Sequence, residues 1–438
     1  MYLTGCVLQS GFTLACGLAQ TPTQLIVFRA FAGVAISFCL PSAVSIITST
    51  FPEGKSRNIA FASMGGGQPI GFSVGLTLGG VFSHTIGWRW GFYIAAIVNS
   101  AVFVIAFFGL PKVGVIQKDD IWHRLRTEID WVGILIGSAS LAMLSYSFAY
   151  VPFMSSSQSR ITFYIHQISL LFANPMLSLI SDSSSSIRKP TTLSMLLISL
   201  GLIPTFIYWV GRQERLGRPA IIPNSLWRNR IFTTICLGVF MTWGVFNAIE
   251  SFLTLFFQEV QEITAIQTSV RFLPAPLTGV LANLVMGLVV HKVRADWAVI
   301  FGIAMTSIGS LMMCIVQPEW SYWACAFPAV ALNPMGAEAL FTVSNLVMTS
   351  VFPAKTQALA GSVFNTIAQI GKSVGLAASG VIAASVTEKS HWSDKQSPPA
   401  LMEGYRAAFW YTFAGSIATC ILFCWGLRGI GRVGMKRE

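Results

Sequence analysis

Charge is scarce in this 438-residue sequence. Only 10% of its residues are Asp, Glu, Lys or Arg, against roughly a quarter in a soluble domain, which excludes a water-soluble globular protein. No Gly-x4-Gly-Lys-Ser/Thr run is present to cradle nucleotide phosphates, so work driven by the chain's own ATP hydrolysis is disfavoured. The eight cysteines (Cys6, Cys16, Cys39, Cys236, Cys314, Cys325, Cys420 and Cys424) show neither zinc spacing nor a disulfide framework, and all sit in apolar runs. His84, His123, His166, His291 and His391 are scattered, and none pairs with an acid and a nucleophile at a catalytic spacing. The expectation is a protein that is not an enzyme, with no metal and no cofactor. The start of the chain also lacks the charged segment and cleavage site of a signal peptide.

What the sequence has in abundance is apolar length. Hydrophobic residues make up 54% of the chain and its mean hydropathy is +0.66, so the fold class is an all-α polytopic membrane protein. Runs of roughly 20 apolar residues read as membrane spans. They fall near residues 2–19, 24–48, 58–82, 90–110, 131–151, 191–210, 232–257, 270–290, 297–316, 322–349, 357–386 and 405–427, which makes twelve. Trp88, Trp90, Trp131, Trp320, Tyr322 and Trp323 lie at span ends, where aromatic anchors belong.

Two segments about 300 residues apart are near copies. Phe51-Pro52, Lys55, Gln68, Gly71 and Val74-Gly75-Leu76 run parallel to Phe352-Pro353, Lys355, Gln369, Gly371 and Val374-Gly375-Leu376. The repeated unit is a helix, a short basic loop and a glycine-rich helix. Parallel repeats of this kind build two-bundle secondary transporters related by pseudo-twofold symmetry, with the substrate between the bundles.

Basic residues set the orientation. If the loop holding Lys55 and Arg57 faces the cytoplasm, alternation puts eighteen Lys and Arg on that side and eight outside, with Arg29 and Lys372 inside spans. The C-terminus is then cytoplasmic. Topology thus accounts for the net charge of +11 without nucleic acid. A crossing by the apolar stretch 161–180 would turn the arginines between Arg212 and Arg230 outward, so residues 151–186 read as an insert at the outer surface. Such an insert is a retained intron or a lineage-specific loop. The expected domains are an incomplete first bundle at 1–110, a central linker at 111–230 with two extra spans, a six-helix bundle at 231–427 and a cytoplasmic tail at 428–438. The repeat places three helices before the second bundle's basic-loop helix but only one before the first's, so two further helices are expected upstream, for fourteen in all.

Several motifs carry a family resemblance. Leu25, Arg29 and Gly33 are spaced as in the fourth-helix motif of the major facilitator superfamily, and Gly71, Gly75, Gly79 and Gly80 resemble the fifth-helix motif of its proton antiporters. Gly87-Trp88-Arg89-Trp90, the run Asn333 to Glu338 and the run Phe364 to Gly371 are similar to fungal members of the 14-span drug:proton antiporter branch. The resemblance implies a major facilitator fold and proton-coupled export of small apolar or amphipathic compounds such as drugs or toxins. Its partners would be those substrates, protons and the lipid bilayer. A monomer in the plasma membrane is implied, with the vacuolar membrane as the alternative location. The pattern is departed from at Phe72 and Leu76, where many antiporters have proline, and the family's first helix and its Gly/Asp/Arg loop are not in the sequence. A non-transporting truncated remnant and a membrane sensor of the same fold are the alternatives.

Ionisable residues inside spans cost several kcal/mol unless they face water or a partner, so they mark the candidate chemistry. They are Arg29, Glu250, Glu338 and Lys372. Arg29, Glu250 and Glu338 are candidates for proton coupling, with Glu338 taking up and releasing protons. Lys372 is a candidate coupling partner if its helix packs against that of Glu338. Asn247, Glu250, Thr254 and Gln258 recur at helical steps, as do Asn365, Gln369 and Lys372. Asn247, Thr254, Asn345, Asn365 and Gln369 are therefore candidate cavity residues. Gly33, Gly71, Gly75, Gly79 and Gly80, with Gly371 and Gly375, are expected to admit a close helix neighbour and serve gating. Asn333-Pro334 is expected to break its helix and free carbonyls near Glu338.

Overall fold

The computed structural model describes residues 1–52, 55–110, 130–149, 190–218, 224–289, 293–351 and 354–428. The proposed insert at 151–186, most of the linker before it and the tail beyond 428 lie outside the described residues. Among those described there is no β-strand.

The first half consists of α1 (Tyr2–Leu18), α2 (Pro22–Thr50), α3 (Lys55–His84) and α4 (Arg89–Gly109). A helical pair follows, α5 (Trp131–Ala149) and α6 (Pro190–Arg215). The second half comprises α7 (Arg230–Leu255), α8 (Ala265–Phe272), α9 (Pro274–Val289), α10 (Ala295–Ile315), α11 (Ala326–Leu332), α12 (Pro334–Val351), α13 (Ala354–Lys389) and α14 (Pro398–Gly426). Pro274 divides α8 from α9 and Pro334 divides α11 from α12, because proline has no N–H to continue the ladder. With each pair taken as one broken rod, the described helices make twelve, as the apolar runs predict; by length and composition, seven of the described helices are long and apolar enough to cross a membrane.

Local chemistry starts the helices where the sequence changes character. Asn229 caps α7, its side-chain oxygen accepting from the backbone N–H groups of Ile231 and Phe232. Thr264 and Gln267 cap α8 reciprocally. Asp130 accepts from Gly133 N–H at 2.8 Å at the start of α5 and from Trp209 Nε1 of α6 at 3.0 Å, tying the extra pair together. At its far end α7 widens into a π-turn, Phe256–Val260. Glu250 is consequently well inside the rod.

The second half carries the dense core. One cluster joins α7, α10, α12 and α13 through Ile235, Val299, Leu340, Val347 and Phe364, and it recruits Val44 of α2 and Phe61 of α3. That cluster is where the two halves seal together, at the end bearing the repeated basic loops. A second cluster, including Phe252, Phe256, Phe272, Met313 and Phe409, fills the opposite end of the second half. By contrast the first half has a small core of Cys16, Ala19 and Leu25. α3 runs along α9 and also meets α8 and α12, so it is the principal bridge between halves.

The break at Asn333-Pro334 differs in one respect from expectation. The Asn333 carbonyl is not left free beside Glu338. The hydroxyl of Thr306 on α10 donates to Asn333 O at 2.8 Å and accepts from Gly336 N–H at 3.1 Å. One threonine thus repairs the backbone that proline opened. Thr306→Val keeps the shape and removes both bonds, so it should cost about 1–3 kcal/mol, read as a lower unfolding temperature of the purified protein.

Candidate functional site: a buried charge cluster in the second half

Three charged residues from three helices converge. Glu250 on α7 and Glu338 on α12 are only 8% and 4% exposed, and Lys372 on α13 lies within electrostatic reach of both. The ammonium makes no direct ion pair with either carboxylate. Lys372 Nζ instead stands 4.4 Å from the centroid of the Trp243 ring on α7, a cation–π contact.

Glycine brings these helices together. A Cβ built on Gly375 would lie 2.4 Å from the Gly244 Cα, and one on Gly371 would lie 2.2 Å from the Phe240 carbonyl oxygen. α7 and α13 therefore cross with their backbones in contact. Lys372 follows Gly371 and Trp243 precedes Gly244, so the same crossing delivers the ammonium to the indole. Gly375→Ala must push two backbones apart and should destabilise by about 1–3 kcal/mol.

The first-half glycines singled out as a groove do not repeat this packing. Gly33, Gly71, Gly75 and Gly79 have nothing within 4 Å of a built Cβ, so the close helix approach expected of both glycine rows occurs only at the second. Gly80 lies on α3 with the others. The physical reason is that α7 fills the groove of α13, whereas none of the described helices fills that face of α3. Gly71→Ala should accordingly be harmless or stabilising by about 0.5–1 kcal/mol through helix propensity. Comparing its unfolding temperature with that of Gly375→Ala checks both statements.

Glu338 is held by a residue that the sequence reading missed. Asn283 Nδ2 on α9 donates to Glu338 Oε2 at 2.6 Å, and Asn283 Oδ1 accepts from Thr342 Oγ1 at 2.9 Å. Glu338 and Thr342 are one turn apart, so a single amide grips two residues of α12. α3 presents Gly65 to that amide: a Cβ there would be 2.7 Å from Asn283 Oδ1 and 2.9 Å from the Phe341 ring. Only a residue without a side chain fits. The opposite half of the molecule is thereby in contact with the group that holds the carboxylate.

The other candidates distribute unevenly. Asn247 and Thr254 are buried on α7 with Glu250, and the Thr254 hydroxyl donates to the Glu250 carbonyl at 2.9 Å. Asn345 donates to Phe341 O at 2.8 Å and Asn365 to Gly361 O at 2.9 Å, each within its own helix. Gln369 is exposed. Arg29 is not in the cluster. It lies on the side of α2 facing α1 and α4, near Cys16, with its guanidinium 5.9 Å from the Phe92 ring centroid. Its motif spacing identifies the helix but not which face of it looks inward. Among the described residues no His, Cys, Asp and Glu grouping could hold a metal ion.

Comparison with known proteins places this architecture. The profile of the Major Facilitator Superfamily matches residues 1–211 and 208–376. The protein named MFS-type transporter 1 of Pyricularia oryzae is 37% identical over 480 aligned residues, covering 99% of this chain and 73% of that one. The Major facilitator superfamily multidrug transporter mfsC of Aspergillus fumigatus is 24% identical over 419 residues, covering 93% and 70%. Among solved structures, the human organic anion transporter MFSD10 superposes with a TM-score of 0.59 at 12% identity, covering 96% of this chain and 76% of that one; this likeness is one of fold. Profile, relatives and twelve-rod architecture agree: the chain is a multi-pass membrane transporter and belongs to the Major Facilitator Superfamily.

Proposed function

We propose that this chain is a proton-coupled exporter of small apolar or amphipathic organic compounds, of the 14-span drug:proton antiporter type, with its C-terminus in the cytoplasm of a fungal-type plasma membrane. The observation that carries the reading is the Glu250–Lys372–Glu338 cluster. Two carboxylates and one ammonium leave one surplus negative charge, and one bound proton cancels it. A net charge in the membrane interior is costly, so the neutral cluster suits rearrangement and the charged one suits contact with water.

The seal supports the same reading. Phe341 lies one turn from Glu338 and meets Phe364 at 5.9 Å between ring centroids, inside the core that joins the two halves. A proton arriving at Glu338 therefore sits directly behind the seal. Loss of the Asn283 bond and movement of α3 past Gly65 link protonation to opening in this reading, since both act on the same amide. Names of relatives such as the A. fumigatus multidrug transporter favour organic compounds as cargo.

The test uses the full chain in vesicles with an imposed pH gradient and a panel of neutral and anionic amphipathic compounds. Accumulation of at least one compound against its own gradient, collapsing when a protonophore is added, is the expected result. Binding without movement would favour a sensor of the same fold.

A further inference from the structure

The ammonium of Lys372 is placed as a ligand would be. It rests on an aromatic face, 4.4 Å from the Trp243 centroid, with the carboxylates of Glu250 and Glu338 within electrostatic reach. An indole face together with acidic side chains is how proteins hold organic cations. Trp243 is itself 6% exposed, and its indole Nε1 is buried with no hydrogen-bond partner.

We propose that Trp243, Glu250 and Glu338 form an organic-cation site that the chain fills with its own Lys372, so that Lys372 is a specificity-determining residue that closes the transporter to cationic substrates. The occupant is covalently attached. A free cation must compete with a tethered group held at high effective concentration. Neutral and anionic compounds meet no such competitor, and an anionic group finds the ammonium as a partner. The α7–α13 crossing fixes where the lysine and the indole meet: Gly371, Gly375 and Gly244 bring the two backbones together beside both residues.

This inference names the substrate class of the proposed transport site and rests on that reading for its consequence, but the site itself is tested without transport. The probe is n-propylammonium, which matches the end of the lysine side chain, with n-butanol as the uncharged control. Each is added to the purified full chain and to Lys372→Ala while thermal unfolding is followed. Lys372→Ala should be stabilised by n-propylammonium and not by n-butanol, with an apparent affinity at least about tenfold better than that of the unaltered protein. Lys372→Ala/Trp243→Leu should lose that gain. Lys372→Met, which keeps most of the apolar stem, provides the same comparison with tetraethylammonium as the probe if the alanine variant does not accumulate in the membrane.

If neither variant accumulates, Trp243→Leu alone decides: freeing the ammonium should raise the rate at which an amine-reactive reagent labels Lys372. Equal response of the unaltered protein and Lys372→Ala, retention of the gain without Trp243, or unchanged labelling in Trp243→Leu would each overturn the proposal. A binding result of the expected kind with no gradient-driven flux would leave the cation site standing and remove antiport instead.

Discussion

Glu338→Gln is expected to bind substrate at fixed pH and to fail to accumulate it when a pH gradient is imposed. The reason is charge counting in the cluster. With Glu338 replaced by an amide, Glu250 and Lys372 remain, and that pair is neutral with no proton bound. The cycle then has nothing to gain from protonation. Glu250→Gln should behave alike, because Glu338 and Lys372 make the same neutral pair. One proton per substrate sustains about a tenfold concentration ratio per unit of pH difference, so each variant should fall from about tenfold to no accumulation. The two should be nearly equivalent, although only Glu338 has the Asn283 bond. A Glu250→Gln protein with unaltered gradient dependence would restrict the titrating group to Glu338 and break the three-charge description.

Asn283→Leu should have the second largest effect, and it should act on structure and coupling together. The substitution keeps the branching and heavy-atom count of the side chain, with somewhat greater bulk, and removes an amide that donates to Glu338 at 2.6 Å and accepts from Thr342 at 2.9 Å. Each buried group left without a partner costs about 1–3 kcal/mol, so the unfolding temperature should drop clearly. Its distinguishing readout is the pH profile of flux: under the proposed antiport Asn283 would position the proton-carrying carboxylate, whereas a merely structural role would leave the profile in place. Thr342→Val removes one of the two bonds and spares Glu338, so it should lower stability with an unchanged profile. If both variants lose stability alike and neither moves the profile, Asn283 is a packing residue only.

Much of this architecture was legible in the sequence because the membrane imposes it. Apolar runs of fixed length mark the rods, and the ends of the twelve described rods fall within about seven residues of where hydropathy puts them. The two proline breaks matter because they divide rods whose hydropathy is continuous. Glu250, Glu338 and Lys372 stood out because charge in an apolar run is conspicuous. Their convergence was foreseeable only in part: spacing puts Lys372 on a polar face, but nothing in the order of residues says that this face meets Trp243.

The misses have a common physical cause. Asn283 is uncharged and solitary in Ala282-Asn283-Leu284, so hydropathy passes over it; a lone amide in mid-span was the available signal, since such groups bond across helices. Trp243 reads as bulk, yet it differs from the anchoring tryptophans in lying far from a span end, whereas Trp323 is 70% exposed at one. Arg29 shows the opposite error. Its charge and motif were plain, but a motif identifies a helix and leaves its rotation to packing, here against Phe92. Gly71, Gly75 and Gly79 likewise announce a groove without saying what occupies it.

Proton antiport by the charge cluster is tested most directly by one number, the slope of substrate accumulation against imposed pH difference for the unaltered chain in vesicles. For a neutral compound the three-charge cluster predicts about a tenfold rise in the accumulation ratio per pH unit, abolished in both Glu338→Gln and Glu250→Gln. A ratio that stays at one across the whole range of gradients, for every compound that the protein demonstrably moves, would contradict proton antiport and the role given to the cluster.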